Sequence, residues 1–354
     1  MGQKQLLKKL SEAGGISGYE TDILDILRQE FSLLADEMRV DTMGNLIAVK
    51  RGRDGPGYTI MLAGHMDEIG LLVTKLEDRF LRFATVGGFD FRVLLGQEVV
   101  VHGRRDLPGV IGTRSPHVLS KEEREQVLPL VKLFIDVALP HEELAQLVQV
   151  GDVITLRRQF TELAGNLVTG KAFDDRAALV CILTCLQHLA KMNHSWDVFA
   201  VATVQEEVGL RGALTGAFGI APSIGIAIDV GHGNMLGVSE ADTVKVGNGP
   251  ALGIGPNIHP AMYSRLVETA RSYEIPYQTD PIPGRSGTDA WAIQVAREGV
   301  PTALISIPLR YMHTTVETLS LKDLERTGRL LALFIANLDE AFAHELGLSK
   351  ANPR

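Results

Sequence analysis

Asp197-Val198-Phe199-Ala200-Val201-Ala202-Thr203-Val204-Gln205-Glu206-Glu207-Val208-Gly209 decides how the chain is read. Its first eight residues are a Val-rich apolar run of strand length. Two adjacent carboxylates follow at its mouth. Charge there is costly unless something uses it. Successive strand residues point to opposite sides, so Glu206 and Glu207 need not do the same job if the extended geometry persists. One could bind a metal while the other handles a proton. A solvated loop is the plain alternative.

Outward from this stretch, apolar strand-like runs alternate with helical patterns. Thr59 to Ala63 is a short apolar strand that runs into Gly64-His65-Met66-Asp67. Gly170 to Arg176 enters a long helix, Ala177 to Ala190. Gly212 to Phe218 reads as a helix, Ile224 to Ile228 as a strand that ends at Asp229, and Ala251 to Ile254 as a further strand. Helices are expected over Pro260 to Tyr273 and Ala290 to Arg297. Thr302 to Ile307 reads as the last strand, before Arg310-Tyr311-Met312-His313, and a C-terminal helix runs from Leu321 to Phe342. Upstream, residues 5–35 read as a helical hairpin broken at Gly14 to Gly18, with Ser17 or Thr21 capping its second helix. Met38 to Val49 looks like a strand or hairpin. Strands alternating with helices predict an α/β fold, a mostly parallel central sheet flanked by helices.

Between residues 71 and 162 the texture changes to short, glycine-punctuated β-like pieces, with a charged segment from Lys121 to Glu125. This predicts a small β-rich domain inserted into a larger one. The expected division is 1–70 and 163–354 for the α/β domain and 71–162 for the insertion. Ionisable residues look scattered there, which points to shape and assembly rather than chemistry. Length alone suggests about two or three domains.

The net charge of −8 argues against nucleic acid or an anionic membrane as partner. No apolar run approaches the roughly 20 residues that span a bilayer. The N-terminal stretch reads as an amphipathic helix without a signal-peptide core. Two cysteines, Cys181 and Cys185, stand four apart in a helical pattern and read as small buried hydrophobes, which fits a cytoplasmic location.

Four expected strands end in metal-capable residues: His65, the Glu206/Glu207 pair, Asp229 and His313. Asp174 sits at a loop-to-helix junction. In open α/β sheets, ligand sites lie beyond the carboxyl ends of the strands, so these positions converge on one edge. Two imidazoles and three carboxylates, counting one of the Glu206/Glu207 pair, exceed one tetrahedral zinc with an open position. They suit two metals about 3.5–4 Å apart, sharing one carboxylate and a water. The spare carboxylate is then the general base. Singly, Asp174 and Asp175 could be helix N-terminal carboxylates and Asp229 a turn residue. The histidines at 102, 117, 141, 188, 194, 232 and 259 read as structural or surface, with His232 and His259 the nearest exceptions.

Taken in order, Gly64-His65-Met66-Asp67, Ala172-Phe173-Asp174-Asp175-Arg176, Gln205-Glu206-Glu207-Val208-Gly209, Ile228-Asp229 and Arg310-Tyr311-Met312-His313 resemble the tetrahedral aminopeptidases. These are glutamyl-aminopeptidase-like and deblocking-aminopeptidase-like enzymes with co-catalytic metals, some under an older endoglucanase label. The resemblance spans nearly the whole chain. It implies that Asp174 bridges, that His65 and Asp229 hold one metal and Glu207 and His313 the other. It also implies that Glu206 is the general base and that Asp67 orients His65. Two divalent ions per subunit are implied, zinc or cobalt, with manganese acceptable. The insertion matches a PDZ-like dimerisation domain, and dimers assemble into a dodecamer in the family. Two departures are local: Thr314-Thr315 stands where a small residue and proline are common, and Gly231-His232-Gly233 is not the usual form.

The implied function is metal-dependent removal of N-terminal residues from peptides through a metal-bridging water, with Glu206 as base. A related di-metal deacylase or carboxypeptidase stays open, as does, more remotely, a non-catalytic metal-stabilised assembly protein. A sugar hydrolase fits poorly, because the carboxylates are interleaved with histidines and the chain has two tryptophans. Arg285, Ser286 and Thr288 lie on a Gly-rich loop that could line the substrate pocket.

Overall fold

Ile60 and Leu62 pack into one core while Met61 and Ala63, between them, pack into another. That alternation marks a strand buried on both faces. In the computed structural model, which describes residues 2–53 and 57–348, this strand, Thr59–His65, lies near the middle of an eight-stranded sheet. The order across the sheet is Glu37–Val40, Leu46–Lys50, Asp197–Thr203, Thr59–His65, Ile224–His232, Thr302–Leu309, Ala251–Ile254 and Gln278–Pro281. The central four strands are parallel. Antiparallel pairings appear only toward the two sides.

The helices Gln3–Glu12, Thr21–Phe31, Phe173–Leu189, Pro260–Ser272 and Leu321–Ala336 contribute to the core on one face. Arg211–Ile220 and Asp289–Gln294 cover the other. The expected α/β body, flanked by helices on both sides, is therefore present, as is the β-rich insertion. The chain leaves the sheet after His65 and builds a closed six-stranded barrel from Gly70–Glu77, Phe80–Val86, Glu98–His102, Asp106–Gly112, Phe134–Asp136 and Val153–Leu156. Every pairing in it is antiparallel. The barrel has its own core, including Leu71, Val73, Leu81, Val99, Val101 and Ile154.

Several local expectations need correction. Thr302–Leu309 is not the last strand: Glu317–Ser320 follows and pairs with Leu167–Gly170, which pairs with Thr161–Glu162. The C-terminal helix is two, Leu321–Ala336 and Glu340–Glu345, because Asp339 starts a new one by accepting from Phe342 N at 2.8 Å. Neither Ser17 nor Thr21 caps the second helix. Glu20 takes that position without a side-chain bond into the helix, and the Ser17 hydroxyl turns to Asp67 instead. Asp229 does not end its strand, which continues three residues to His232, because Gly231 and His232 still pair with Pro308 and Leu309.

Candidate active site

His65 closes its strand, and Gly64 before it lets a helix come near. A Cβ at Gly64 would stand 2.7 Å from the Ala178 methyl, so any side chain would push the helix Phe173–Leu189 away. At this distance the Asp175 carboxylate accepts from His65 N at 3.3 Å. On its other side His65 faces Asp67. Its Nδ1 lies 3.1 Å from the Asp67 carbonyl and 3.5 Å from Oδ1. Asp67 is fully buried and accepts from the Ser17 hydroxyl at 2.6 Å, from Glu206 N at 3.0 Å and from Glu207 N at 3.2 Å. Burial works to raise its pKa, but His65 and these hydrogen bonds hold it below the usual carboxylate range. One carboxylate thus ties the His65 ring to the Glu206–Glu207 backbone.

Asp174 stands between the two imidazoles. Its Oδ1 is 3.1 Å from His65 Nε2 and its Oδ2 is 3.2 Å from His313 Nε2. Burial disfavours the charged form, yet His313 and His65 outweigh it and keep Asp174 ionised. Glu206 and Glu207 divide between the same rings, with Glu206 Oε2 at 3.8 Å from His65 Nε2 and Glu207 Oε1 at 3.4 Å from His313 Nε2. The turn that presents them needs Gln205 in the left-handed region, φ 55°, and His313 itself sits at φ 60°. Non-glycine residues seldom adopt this conformation, and such positions gather at functional sites.

The electrostatics are those of too many carboxylates in one buried place. Burial, reinforced by Asp229, Asp289 and Glu207 and opposed by His65, pushes Glu206 up to about 10. Asp229 is raised well above its ordinary value, by burial first and then by Asp174 and Asp289, against the pull of His65. The imidazoles move up as well. Burial would lower them, but Glu206, Asp174 and Asp67 hold His65 well above its ordinary value, and Asp174 and Glu207 take His313 to about 11. Among the described residues, three groups have donor atoms within 4.8 Å of one another: His65/Glu206/Glu207, His65/Asp175/Asp229 and Asp174/Glu207/His313. Divalent cations suit such a set, since each can neutralise carboxylates that otherwise raise one another's pKa. The fit also holds in distance. Two ligands about 2.0–2.1 Å from a tetrahedral ion stand about 3.3 Å apart, close to the imidazole–carboxylate separations here.

A family model for the M42 glutamyl aminopeptidases matches residues 44–330, a span that includes every residue just described except Ser17. The chain belongs to the M42 glutamyl aminopeptidase family. Its members are peptide hydrolases, and this chain is one of them. It is 35% identical to a lysyl aminopeptidase of Pyrococcus furiosus over 94% of its own length and 97% of that protein. Among solved structures, a TET aminopeptidase from a marine-sediment Thaumarchaeota archaeon superposes with a TM-score of 0.91 at 34% identity, covering 97% of this chain and 99% of the other. The TET1 peptidase of Pyrococcus horikoshii, described as assembling into a tetrahedron or a large octahedral shell, gives 0.84 at 33% identity, covering 95% and 100%.

In this M42 chain the site opens into a pocket of about 440 Å³. His65, Asp174, Glu206, Glu207, Asp229 and His313 line its inner end, while Asp67 lies behind His65. His232 lines the wall but joins none of the metal-capable groups. His259 does neither. Arg285, Ser286 and Thr288 do line the pocket.

Two residues escaped the sequence reading. Glu317 is buried in the small three-stranded sheet, where its Oε2 accepts from Phe173 N at 2.7 Å and Asp174 N at 3.2 Å, and its Oε1 from His313 N at 2.9 Å. It fixes the backbone on both sides of the Asp174–His313 contact. Its one sequence signal is a carboxylate inside the alternating run Thr315-Val316-Glu317-Thr318-Leu319. Glu68 is buried with Lys171 and Arg176. Lys171 Nζ is 2.7 Å and 2.8 Å from its two oxygens, and Arg176 Nη2 is 3.1 Å from one. The same cations donate to the carbonyls of Leu10 and Ala13, which fastens the first helix to the His65–Glu68 turn.

Proposed function

We propose that the chain removes N-terminal residues from peptides with two divalent ions, zinc or cobalt, or manganese, and with Glu206 as general base. The observation that carries this reading is the sharing of Asp174 between His65 and His313, one carboxylate oxygen to each ring. A carboxylate so placed would serve two neighbouring ions at once. His65 and Asp229 would complete the ligands of one, Glu207 and His313 those of the other, with Asp67 holding the His65 ring. When bound, such a pair of ions acidifies a water and polarises the scissile carbonyl.

The chain's own groups do the rest. Glu206 faces the pocket and, among the described residues, pairs with no cation other than the His65 ring. With cations offsetting the carboxylates that raise its pKa, its Oε2 would take the proton from the attacking water and return it to the leaving nitrogen.

The barrel would serve in self-association, as a dimerisation unit within a dodecamer. Exposed Val118, Val127 and Val131 on it and the shell assembly named for the Pyrococcus horikoshii relative support this. Cys181 and Cys185 are buried and unpaired, as expected of a cytoplasmic chain. Among the described residues no helix is long and apolar enough to cross a membrane.

The test is hydrolysis of aminoacyl-p-nitroanilides against N-acetylated and C-terminal counterparts, on protein stripped with chelator and reloaded with zinc, cobalt or manganese. Metal-restored cleavage of free-amine substrates alone is the expected result. Cleavage only of blocked or carboxyl-terminal substrates would replace the aminopeptidase reading by a deacylase or carboxypeptidase.

A further inference from the structure

The outer wall of the pocket carries charge that hydrolysis does not use. Asp242 and Arg285 line it at exposed positions, and the Arg285 guanidinium lies 5.5 Å from the Trp291 ring centre. Charges so exposed are screened by salt and water. Asp280 differs from both. It is partly buried on the strand Gln278–Pro281, and its Oδ2 accepts from the Ser306 hydroxyl at 3.3 Å.

Ser306 is the register partner of Asp229 on the neighbouring strand. One strand spacing, about 4.8 Å, separates their backbones. The space between is open because residue 231 is glycine. A Cβ there would meet the Ser306 Cβ at 2.9 Å and would stand 3.9 Å from Asp280 Oδ2. Asp280 therefore borders the same pocket as His65, Asp174 and Asp229, beside the glycine two residues beyond Asp229. Among the described residues, no group other than the Ser306 hydroxyl and the nearby His232 ring stabilises its charge, and it pairs with no lysine or arginine. A partly buried carboxylate without a cation is a cost that a cationic ligand removes.

We propose that this pocket selects peptides whose N-terminal residue has a cationic side chain, lysine or arginine, with Asp280 as its charge partner. The inference rests on the aminopeptidase reading above and names its substrate class. The four-carbon stem of lysine would cross the apolar wall of Ile282 and Leu304, and its ammonium would meet the carboxylate. Arg285, out at the rim, is the opposing candidate, and it would favour glutamate.

The experiment compares kcat/KM for the p-nitroanilides of lysine, norleucine and glutamate on the metal-loaded enzyme. Lysine and norleucine differ little in shape, so their ratio isolates charge. A charge-assisted hydrogen bond predicts that lysine exceeds norleucine by about 10-fold or more. Asp280→Asn should bring that ratio close to one, whatever happens to the absolute rates. Preference for norleucine or glutamate in the unaltered enzyme overturns the proposal without any variant. A lysine preference that persists in Asp280→Asn overturns it too, as does a glutamate preference that vanishes in Arg285→Gln. Failure to cleave any free-amine substrate would defeat the aminopeptidase reading itself, an outcome distinct from the wrong preference.

Discussion

The Ser17 hydroxyl donates to Asp67 Oδ2 at 2.6 Å across 50 residues of sequence, and through Asp67 the turn between the first two helices holds the His65 ring. Asp67 has its remaining capacity filled by the amides of Glu206 and Glu207. Losing the hydroxyl would leave a buried carboxylate short of one partner and loosen the ring it orients. Ser17→Ala should weaken metal binding by about 10-fold or more, the usual range for a group that supports a ligand. Ser17→Thr, which keeps the hydroxyl, should recover most of it. A competition titration with a chelating dye reads this directly. Equal affinity in Ser17→Ala and the parent chain would remove Ser17 from the site.

Glu206→Gln separates chemistry from binding. The amide keeps the size of the side chain and loses the ability to take a proton. The mutant should fold, bind two metals and lose about 10²–10⁴-fold in kcat, the range for a general base. Glu207→Gln, at 3.4 Å from His313 Nε2, should instead show its defect first in metal content. Elemental analysis beside steady-state rates distinguishes the two. A Glu206→Gln enzyme with near-normal kcat would show that the base is another group.

His65, Asp174, Glu206, Glu207, Asp229 and His313 could be read from the sequence because each follows or precedes a recognisable element in an alternating α/β pattern. The topology then brings them to one sheet edge. Asp229 reads as the end of the strand Ile224 to Ile228, yet the strand continues to His232 beside Thr302–Leu309, whose pairing supports it. Glu317 and Ser17 had no such signal. Glu317 acts on Phe173 N, 144 residues away, through backbone hydrogen bonds that exist only once two distant segments pack. Ser17 looked like a helix cap, since a serine before a helical pattern usually is one. Its tertiary partner, a buried carboxylate, outcompeted the local role. In the insertion, Phe80–Val86 and Phe134–Asp136 carry little signal, as short strands of a small barrel show only brief alternation.

Glu68 should prove costlier to remove than any single surface charge. It is buried between Lys171 and Arg176, whose other donors fasten the end of the first helix. Glu68→Ala would leave two buried cations without their carboxylate. Breaking a buried ion pair from one side costs about 3–5 kcal/mol. Burial already depresses the Lys171 pKa, with Arg176 adding to that and Glu68 opposing it, so without Glu68 the ammonium would shed its proton more readily. Denaturant unfolding of Glu68→Ala and Glu68→Gln should show a lowered midpoint for both, with the alanine worse. An unchanged midpoint would mean that water reaches this cluster freely.

The crowding of carboxylates sets a pH signature for the chelator-stripped protein. Burial, with neighbouring acids, raises Glu206 to about 10 and raises Glu207, Asp229 and Asp175 above their ordinary values. Facing carboxylates raise His313, against burial, to about 11. A group whose folded pKa lies above its unfolded one binds protons more tightly in the native state. Its contribution to stability is complete below the unfolded pKa and is lost as pH rises through the folded one. Carboxylates and imidazoles thus act in the same direction here. Asp67 and Asp174 are shifted downward, and their contributions are lost only as pH falls below the ordinary carboxylate range. The stripped protein should therefore lose thermal stability steadily from about pH 6 to about pH 9. Reloading with zinc should raise Tm most at the alkaline end, because cations take over from protons in balancing the carboxylates. Thermal melts across that range, with and without metal, measure the gap. Parallel curves would mean that the carboxylates around His65 and His313 are relieved by something other than the ions.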